Sequence, residues 1–302
     1  MTTKSAFAEA LARAADQTEA ALDAYLPQPT GTPGEAELVQ AMRYAVMGGG
    51  KRLRAFLCME VGALFSADTE GLRRGAASVE CLHAYSLVHD DMPCMDDDDL
   101  RRGKPTVHRK WNEATAVLAG DGLQTSAFEI IAHAAAHPSG EVRARLCLRL
   151  AEASGALGMV GGQAIDLAAE TSSSPFGADD VRKLQSMKTG ALISYAAEAG
   201  AILGEASEDE IARIRDYADA LGEAFQIADD LLDVTGTEEE TGKRVGKDAT
   251  AGKATFVDIL GIDGAKARAA ELVARAEKAL EPFGDRAILL KDAAHFVVNR
   301  RS

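Results

Sequence analysis

The stretch that decides the fold runs from residue 71 to residue 102 and reads GLRRGAASVECLHAYSLVHDDMPCMDDDDLRR. Residues 71–95 are apolar on most sides at helical spacing, which predicts a long central helix. Pro93 removes a backbone donor in the last turn, so we expect the helix to kink or end there. The aspartates therefore stand where a buried helix opens into a polar loop, predicted to run from Asp97 to about Lys110.

The aspartates of this stretch predict a metal site. Asp90 and Asp91 are the last charges of the apolar helix, and the break at Pro93 lets Asp96 swing back toward Asp90. Carboxylates at this density repel one another unless a cation lies between them. Hard oxygen ligands suit Mg²⁺, which binds one or two carboxylates together with substrate phosphates and water.

A second acidic cluster, QIADDLLD at 226–233, ends another apolar stretch. Asp229 and Asp233 are four residues apart, so both carboxylates face one way on a helix and are able to share a metal. Asp230 points elsewhere and is interpreted as a supporting residue. Together the two clusters predict a Mg²⁺–diphosphate site.

Basic and polar residues near these clusters are candidate phosphate ligands. GGGKRLR at 48–54 joins two predicted helices, and its glycines let backbone approach a ligand near Lys51 and Arg54. Each motif alone is also typical of a surface or a helix boundary, so the prediction rests on their combination. The other candidates are Arg101, Arg102, His83 two turns before Asp90, Lys188 and Thr189 where two helices meet, and Gln163 with Asp166.

Composition and spacing predict one all-α domain over residues 1–302. Alanine is abundant, Val, Ile and Thr runs are scarce, and hydrophobic residues make up 47% of the chain. Three short helices are expected to close the chain, after a mobile polar loop at 236–253. Helical spacing predicts the other helices at 4–26, 35–47, 53–65, 71–95, 112–136, 141–169, 178–188, 190–203 and 208–235.

Charge and cysteine content exclude several classes of partner and location. The formal net charge is −14, which argues against nucleic acid or an anionic membrane as the main partner. No uncharged apolar run approaches the ~20 residues that a membrane span needs. The four cysteines form no CxxC pair and are interpreted as thiols in a reducing cytoplasm, the predicted location.

In combination these motifs resemble the trans-prenyltransferase family, the isoprenyl diphosphate synthases, and within it the bacterial members that make a C15 product. The resemblance covers most of the chain from about residue 44 to residue 256, in family order. The matching segments are GGGKRLR (48–54), ECLHAYSLVHDDMPCMDDDDLRRGKPTVH (80–108), LAGDGLQ (118–124), GMVGGQAIDL (158–167), KTGALI (188–193), FQIADDLLDVTG (225–236), GKRVGKD (242–248) and GKAT (252–255).

The resemblance implies roughly a dozen helices around a deep central cleft, usually in a homodimer. It implies a 1′-4 condensation of isopentenyl diphosphate with dimethylallyl or geranyl diphosphate, without a side-chain nucleophile. The carbonyls near Lys188 and Thr189, with the Gln226 amide, would stabilise the carbocation, and the 236–253 loop would act as a lid.

Three Mg²⁺ on the allylic diphosphate would be held by Asp90, Asp91, Asp96, Asp229 and Asp233. Its direct contacts would be Arg101, Lys188, Lys243 and Lys253, and isopentenyl diphosphate would be held by Lys51, Arg54, His83 and Arg102.

The resemblance also implies a basis for product length, because in this family the residues just before the first aspartates form the floor of the chain-elongation pocket. Tyr85 and Ser86 lie about one helical turn deeper than Asp90, roughly 6–8 Å by helix rise. A bulky Tyr85 is expected to stop growth early. The resemblance implies that an aromatic residue five positions before the aspartates, with the Pro93-Cys94 insertion, goes with the C15 product, farnesyl diphosphate; geranyl and geranylgeranyl diphosphate are the alternatives. A packed aromatic with no such role is the structural alternative.

Three other functions remain open at this point. A terpene cyclase uses similar metal chemistry but needs no second diphosphate pocket. A non-catalytic subunit of a larger synthase typically has an eroded aspartate cluster, whereas both clusters are intact here. A Mg²⁺-dependent diphosphate hydrolase fits the metal ligands but not a large apolar cleft. A role for Arg300 and Arg301 in closing the site also stays open.

Overall fold

The fold follows the helical spacing of the sequence. A computed structural model describes residues 3–171, 176–235 and 255–299, and over these ranges the protein is all-α, as predicted, apart from one two-residue antiparallel strand pair. The elements are α1 (Thr3–Tyr25), α2 (Pro33–Val46), α3 (Leu53–Leu64), α4 (Thr69–Asp90), β1 (Leu100–Arg101), β2 (Lys104–Pro105), α5 (Val107–Lys110), α6 (Glu113–Ala132), α7 (Gly140–Ser154), α8 (Met159–Thr171), α9 (Ala178–Gln185), a π-turn (Ser186–Gly190), α10 (Ala191–Leu203), α11 (Glu208–Thr235), α12 (Phe256–Leu280) and α13 (Ile288–Asn299).

The central helix α4 begins at a cap and ends earlier than predicted. Asp68 accepts hydrogen bonds from the backbone N–H groups of Glu70 and Gly71, satisfying donors that have no partner within the helix. The helix ends at Asp90 rather than near residue 95, because the chain beyond it folds into a tight turn around Pro93.

Two other predicted boundaries are wrong. The single helix predicted at 141–169 is two helices, α7 and α8, because Gly155 leaves the helical conformation with a ψ of −158°. The chain end predicted as three short helices is α12, kinked at Gly261 where φ is +68°, followed by a 3₁₀ segment (Glu281–Ala287) and α13. Glycine takes such angles at little cost.

The core joins most of the helices and carries the candidate site at its rim. One continuous cluster of buried side chains draws members from α1 through to α13, and α10 is almost wholly buried. α4 packs against α6, and α11 packs against α10 and α12. Asp90 lies at the end of α4, Asp229 near the end of α11, and Lys188 just before α10. Of the helices described, none is long and apolar enough to cross a membrane.

Candidate active site

The first acidic cluster is folded back on itself. The backbone N–H of Asp96 donates to the carbonyl oxygen of Asp90 over 2.8 Å, which brings the two aspartates together as the sequence analysis expects. Burial raises the pKa of Asp90 to about 6, an effect that Lys188 opposes and Asp96 reinforces. The Asp90 carboxylate is thus poorly stabilised as an anion unless further positive charge comes close.

The carboxylate of Asp91 forms an ion pair with Arg101. This carboxylate is buried and accepts hydrogen bonds from Nε of Arg101 at 2.8 and 2.9 Å and from Nη2 at 2.6 Å. Burial raises the pKa of Asp91 although the Arg101 guanidinium opposes the rise. Binding of a metal by Asp91, as predicted, therefore requires this pair to open. Asp99 in turn pairs with Arg109 at 2.8 Å.

Basic side chains gather beside this cluster. The backbone of Gly50, with φ at +125°, lies so close to Arg102 that a Cβ there would be 2.6 Å from Nη1. Burial lowers the pKa of His83 well below its usual value, and the nearby positive charges of Arg54 and Arg102 lower it further, so the imidazole is neutral at pH 7. The structure thus brings together three of the four residues predicted to hold isopentenyl diphosphate.

Arg54 carries an unsatisfied donor. Burial lowers its pKa, which Glu80 and Asp229 partly offset. Its Nε–H is buried and has no acceptor in the described part of the chain. A buried donor without a partner costs free energy, so an anionic ligand here would be stabilised. Lys51, the fourth predicted contact, has its Nζ 5.5 Å from the centroid of the Phe296 ring on α13.

A buried ion pair beneath the glycine loop was not predicted. Arg52 has a left-handed backbone conformation with φ at +52°, and its Nη1 donates to Glu80 over 2.9 Å. Both side chains are buried, and Arg52 also donates to the carbonyl oxygen of Val46. This pair ties the loop to the middle of α4. A lone acidic residue in an apolar helix was the available signal.

The second acidic cluster divides its aspartates between two tasks. Asp229 is exposed and Asp233 half-buried on α11, as expected for ligand positions. Asp230 is buried, and its carboxylate accepts a 2.7 Å hydrogen bond from the backbone N–H of Phe256. Asp230 therefore anchors the start of α12, which defines the supporting role that the sequence left open.

Lys188 and Thr189 lie between α9 and α10, where two helices were predicted to meet, but they form a π-turn rather than a break. The residues that flank the π-turn, Gln185 and Ala191, have right-handed helical backbone conformations. Such wide turns occur frequently at functional sites. Two glycines hold the turn. A Cβ on Gly162 of α8 would lie 2.2 Å from the backbone nitrogen of Lys188, and one on Gly222 of α11 would lie 3.2 Å from Cα of Gly190.

Side chains from α8 and α11 converge on this turn. Nζ of Lys188 donates to Asp166 over 2.5 Å, so the predicted polar residue of α8 contacts the predicted phosphate ligand. Gln226 donates to Gln185, a partner that sequence reasoning missed. Within the described ranges, both polar atoms of the Gln163 amide are buried without a hydrogen-bond partner.

The two predicted chain-length residues on α4 differ in burial, since Ser86 is half-buried. Tyr85 is buried, and its ring meets the His89 ring edge to face, with centroids 5.2 Å apart. The Ser86 hydroxyl donates to the carbonyl oxygen of His83 over 2.9 Å. Lys243, Lys253, the predicted lid at 236–253 and Arg300–Arg301 lie outside the described residues.

Two cavities are relevant to locating the site. One of about 50 Å³ lies under the β1–β2 pair and is lined in part by Asp91, Arg101 and Arg102. A larger one of about 710 Å³ opens between α7, the π-turn, α10 and α11. Its lining includes no aspartate of either cluster, so it is not the site that the sequence predicts.

The carboxylates present fit Mg²⁺ held jointly with a substrate. Among the residues described, no group of three or more His, Cys, Asp or Glu side chains is arranged to hold a metal by itself. Mg²⁺ typically takes one or two carboxylates plus phosphate oxygens and water, rather than an all-protein cage. Asp90 beside Asp96, with its raised pKa, is a pair of this kind.

Comparison with known proteins agrees with this chemistry. Residues 35–283 match the family model described as "Polyprenyl synthetase". The chain is 43% identical over 268 residues to the farnesyl diphosphate synthase of Escherichia coli, covering 87% of this chain and 89% of that protein. It is 41% identical over 277 residues to geranylgeranyl pyrophosphate synthase 3 of Arabidopsis thaliana, covering 90% and 75%.

A solved structure extends the similarity to the fold. The crystal structure of an FPP/GFPP synthase from Zymomonas mobilis superposes with a TM-score of 0.89 at 46% identity, covering 98% of this chain and 100% of that one. The chain therefore belongs to the polyprenyl synthetase family and is a prenyltransferase of isoprenoid chain elongation.

Proposed function

We propose that this prenyltransferase makes farnesyl diphosphate, by condensing isopentenyl diphosphate with dimethylallyl or geranyl diphosphate. The observation that carries the proposal is the pairing of two different anion sites. Acidic clusters at the ends of α4 and α11 suit a metal-bound diphosphate, whereas Arg54, Arg102 and His83 suit a second diphosphate bound directly. A terpene cyclase or a diphosphate hydrolase needs only the first site.

The proposed cofactor is Mg²⁺, three ions in all, held by Asp90, Asp96, Asp229 and Asp233, with Asp91 joining if its arginine pair opens. When bound, Mg²⁺ supplies positive charge that stabilises the departing diphosphate. Lys188 and Arg101 add direct contacts to the same group, and Lys243 and Lys253 are proposed to do so from the segment outside the described residues.

The reaction needs no side-chain nucleophile. The C–O bond of the allylic diphosphate breaks, and the diphosphate leaves with the electron pair. The amide oxygen of Gln226, whose nitrogen donates to Gln185, and the carbonyls near Lys188 and Thr189 stabilise the allylic cation without attacking it. The double bond of isopentenyl diphosphate forms the new C–C bond, and the proton lost goes to the released diphosphate.

Product length rests on Tyr85. Relatives at similar identity include both farnesyl and geranylgeranyl synthases, so identity does not choose between the two products. A buried tyrosine ring one turn below Asp90 supports a short pocket and hence the C15 product over C20.

Assembly and location are part of the proposal. The continuous core supports one domain over residues 1–302. A homodimer is supported by apolar side chains that remain exposed on α6, α7 and the turn after α7, namely Val117, Leu118, Leu148 and Leu157. A cytoplasmic location is supported by four free cysteines.

A product assay tests the function directly. The protein is incubated with Mg²⁺, isopentenyl diphosphate and each allylic starter in turn, and product length is measured by mass spectrometry. We expect a C15 diphosphate that disappears with EDTA and in the Asp90→Ala variant. A C20 or longer product would keep the mechanism and contradict the role of Tyr85. No condensation with either starter would contradict the enzyme assignment and favour a non-catalytic subunit.

A further inference from the structure

Tyr85, the proposed wall residue, has an aromatic neighbour on the same helix. His89 lies four residues after Tyr85, so the two side chains are neighbours on one face of α4. Their rings meet edge to face at an interplanar angle of 84°, with centroids 5.2 Å apart. This is a preferred geometry for aromatic pairs, and it holds the two rings in contact and nearly perpendicular to each other.

The imidazole is itself held by α6. Its Nε2 is 3.1 Å from the carbonyl oxygen of Val117, so this nitrogen carries the proton and donates it. The ring also occupies the space where a side chain at position 120 would start. A Cβ built on Gly120 would lie 2.1 Å from Nε2 and 2.4 Å from Cδ2 of His89. Only glycine at this position leaves room for the ring.

We propose that His89, seated against Gly120 and bonded to Val117, is the positioning residue that fixes Tyr85 as the wall of the pocket. This inference rests on the proposed function, because it concerns the length of the product. A tyrosine ring limits chain growth only if it cannot rotate away as the chain presses on it. Helix α6 would then set product length through His89, without touching the chain.

Removal of the ring tests the proposal. We compare wild type, His89→Ala and His89→Phe by the ratio of C20 to C15 product at matched turnover. His89→Ala frees Tyr85, and we expect the ratio to rise at least tenfold. His89→Phe keeps a ring against Gly120 and Tyr85 but loses the hydrogen bond to Val117. We therefore expect a ratio within about threefold of wild type, a much smaller rise than in His89→Ala.

A double variant separates positioning from general damage. Tyr85→Ala removes the wall, so adding His89→Ala to it is expected to change the C20 to C15 ratio less than twofold. A merely structural role for His89 would lower turnover in both backgrounds and leave the ratio alone. An unchanged ratio in His89→Ala, or a full additional effect in the double variant, would overturn the inference.

Gly120→Ala approaches the same contact from α6 and covers the case in which His89→Ala fails to fold. The added methyl group displaces the imidazole from Tyr85, so we expect the ratio of C20 to C15 product to rise. Gly122→Ala is the matched control, because its Cβ would meet the flexible side chain of Met42 instead. Equal ratios in both glycine variants would overturn the inference. Absence of condensation by the wild type would overturn the proposed function and this inference with it, whereas unchanged length overturns this inference alone.

Discussion

Glu198 shows how a single buried charge is stabilised in this protein. The residue is fully buried on α10, and its carboxylate accepts hydrogen bonds from Arg149 at 3.0 Å and from Arg215 at 2.7 Å. Burial alone would raise the pKa of Glu198, but these two guanidinium groups outweigh it and lower the pKa below 4.5. The ionised form is therefore favoured more strongly in the folded state than in the unfolded state.

This arrangement predicts a stability loss that depends on pH. Glu198→Gln leaves two arginines without their counter-charge, and we expect the free energy of unfolding to fall by about 2 kcal/mol at pH 7. This is less than the loss of a fully buried ion pair costs, because both guanidinium groups are partly exposed. Because the pKa of Glu198 is lower in the folded state, the difference in free energy of unfolding between wild type and variant has its full size above pH 4.5. It shrinks as the pH falls through the pKa of the folded state. Urea unfolding followed by circular dichroism at several pH values measures it.

Glu152→Gln is the control for that prediction. Glu152 also pairs with Arg149 but its side chain is 49% exposed, so we expect less than about 0.5 kcal/mol. If Glu198→Gln and wild type had the same urea midpoint at pH 7, the pairing of buried Glu198 with Arg149 and Arg215 would not stabilise the fold as described.

Single residues also show where sequence reasoning stops. Asp90 and Asp96 could be paired from the sequence, because Pro93 between them ends the helix and the contact is local. The partner of Glu80 could not be named, because Arg52 lies 28 residues away and only the packing of α3 on α4 brings them together. Contacts between residues close in the sequence can be predicted from their spacing, whereas contacts between distant residues depend on how the helices pack.

At the scale of elements, helical periodicity found most helices and misread the special turns. The bounds predicted for α11, 208–235, are those observed. The π-turn was read as a break, because Lys188-Thr189-Gly190 resembles a helix end and one extra residue in a turn leaves no mark in composition. The turn is recognisable only from its neighbours, the two glycines that approach its backbone.

The π-turn predicts an effect of substitution at Gly162. A methyl group there would lie 2.2 Å from the backbone nitrogen of Lys188, so Gly162→Ala must move the turn. A displacement of about 1 Å at a catalytic group is able to cost about a hundredfold in rate, and we expect a fall in kcat of this order. Steady-state kinetics on protein that circular dichroism shows to be folded measures it.

Two further variants test whether the loss of kcat follows the severity of the steric clash with the π-turn. Gly222→Ala meets Gly190 at 3.2 Å and should reduce kcat less. Ala164→Ser, on the exposed side of α8, should leave kcat within about twofold of wild type, as surface substitutions usually do. A folded Gly162→Ala protein with wild-type kcat would show that the turn tolerates movement.

At the scale of the whole molecule, the proposed function depends on two different anion sites. In the proposed function, acidic side chains at the ends of α4 and α11 bind one diphosphate through Mg²⁺, and arginines around His83 bind the other directly. The fold class could be predicted from the sequence, and so could the position of the acidic clusters at the ends of apolar helices. Their mutual placement could not, because it follows from how α3, α4 and α11 pack.

The most direct test of the two sites is binding with and without metal. Isothermal titration of the wild-type protein compares isopentenyl diphosphate with an unreactive allylic thiolodiphosphate, each in Mg²⁺ and in EDTA. The account predicts that EDTA weakens binding of the allylic analogue at least a hundredfold, and that isopentenyl diphosphate binds within about threefold in both. Equal loss of both ligands in EDTA, or no loss of either, would contradict the two-site account.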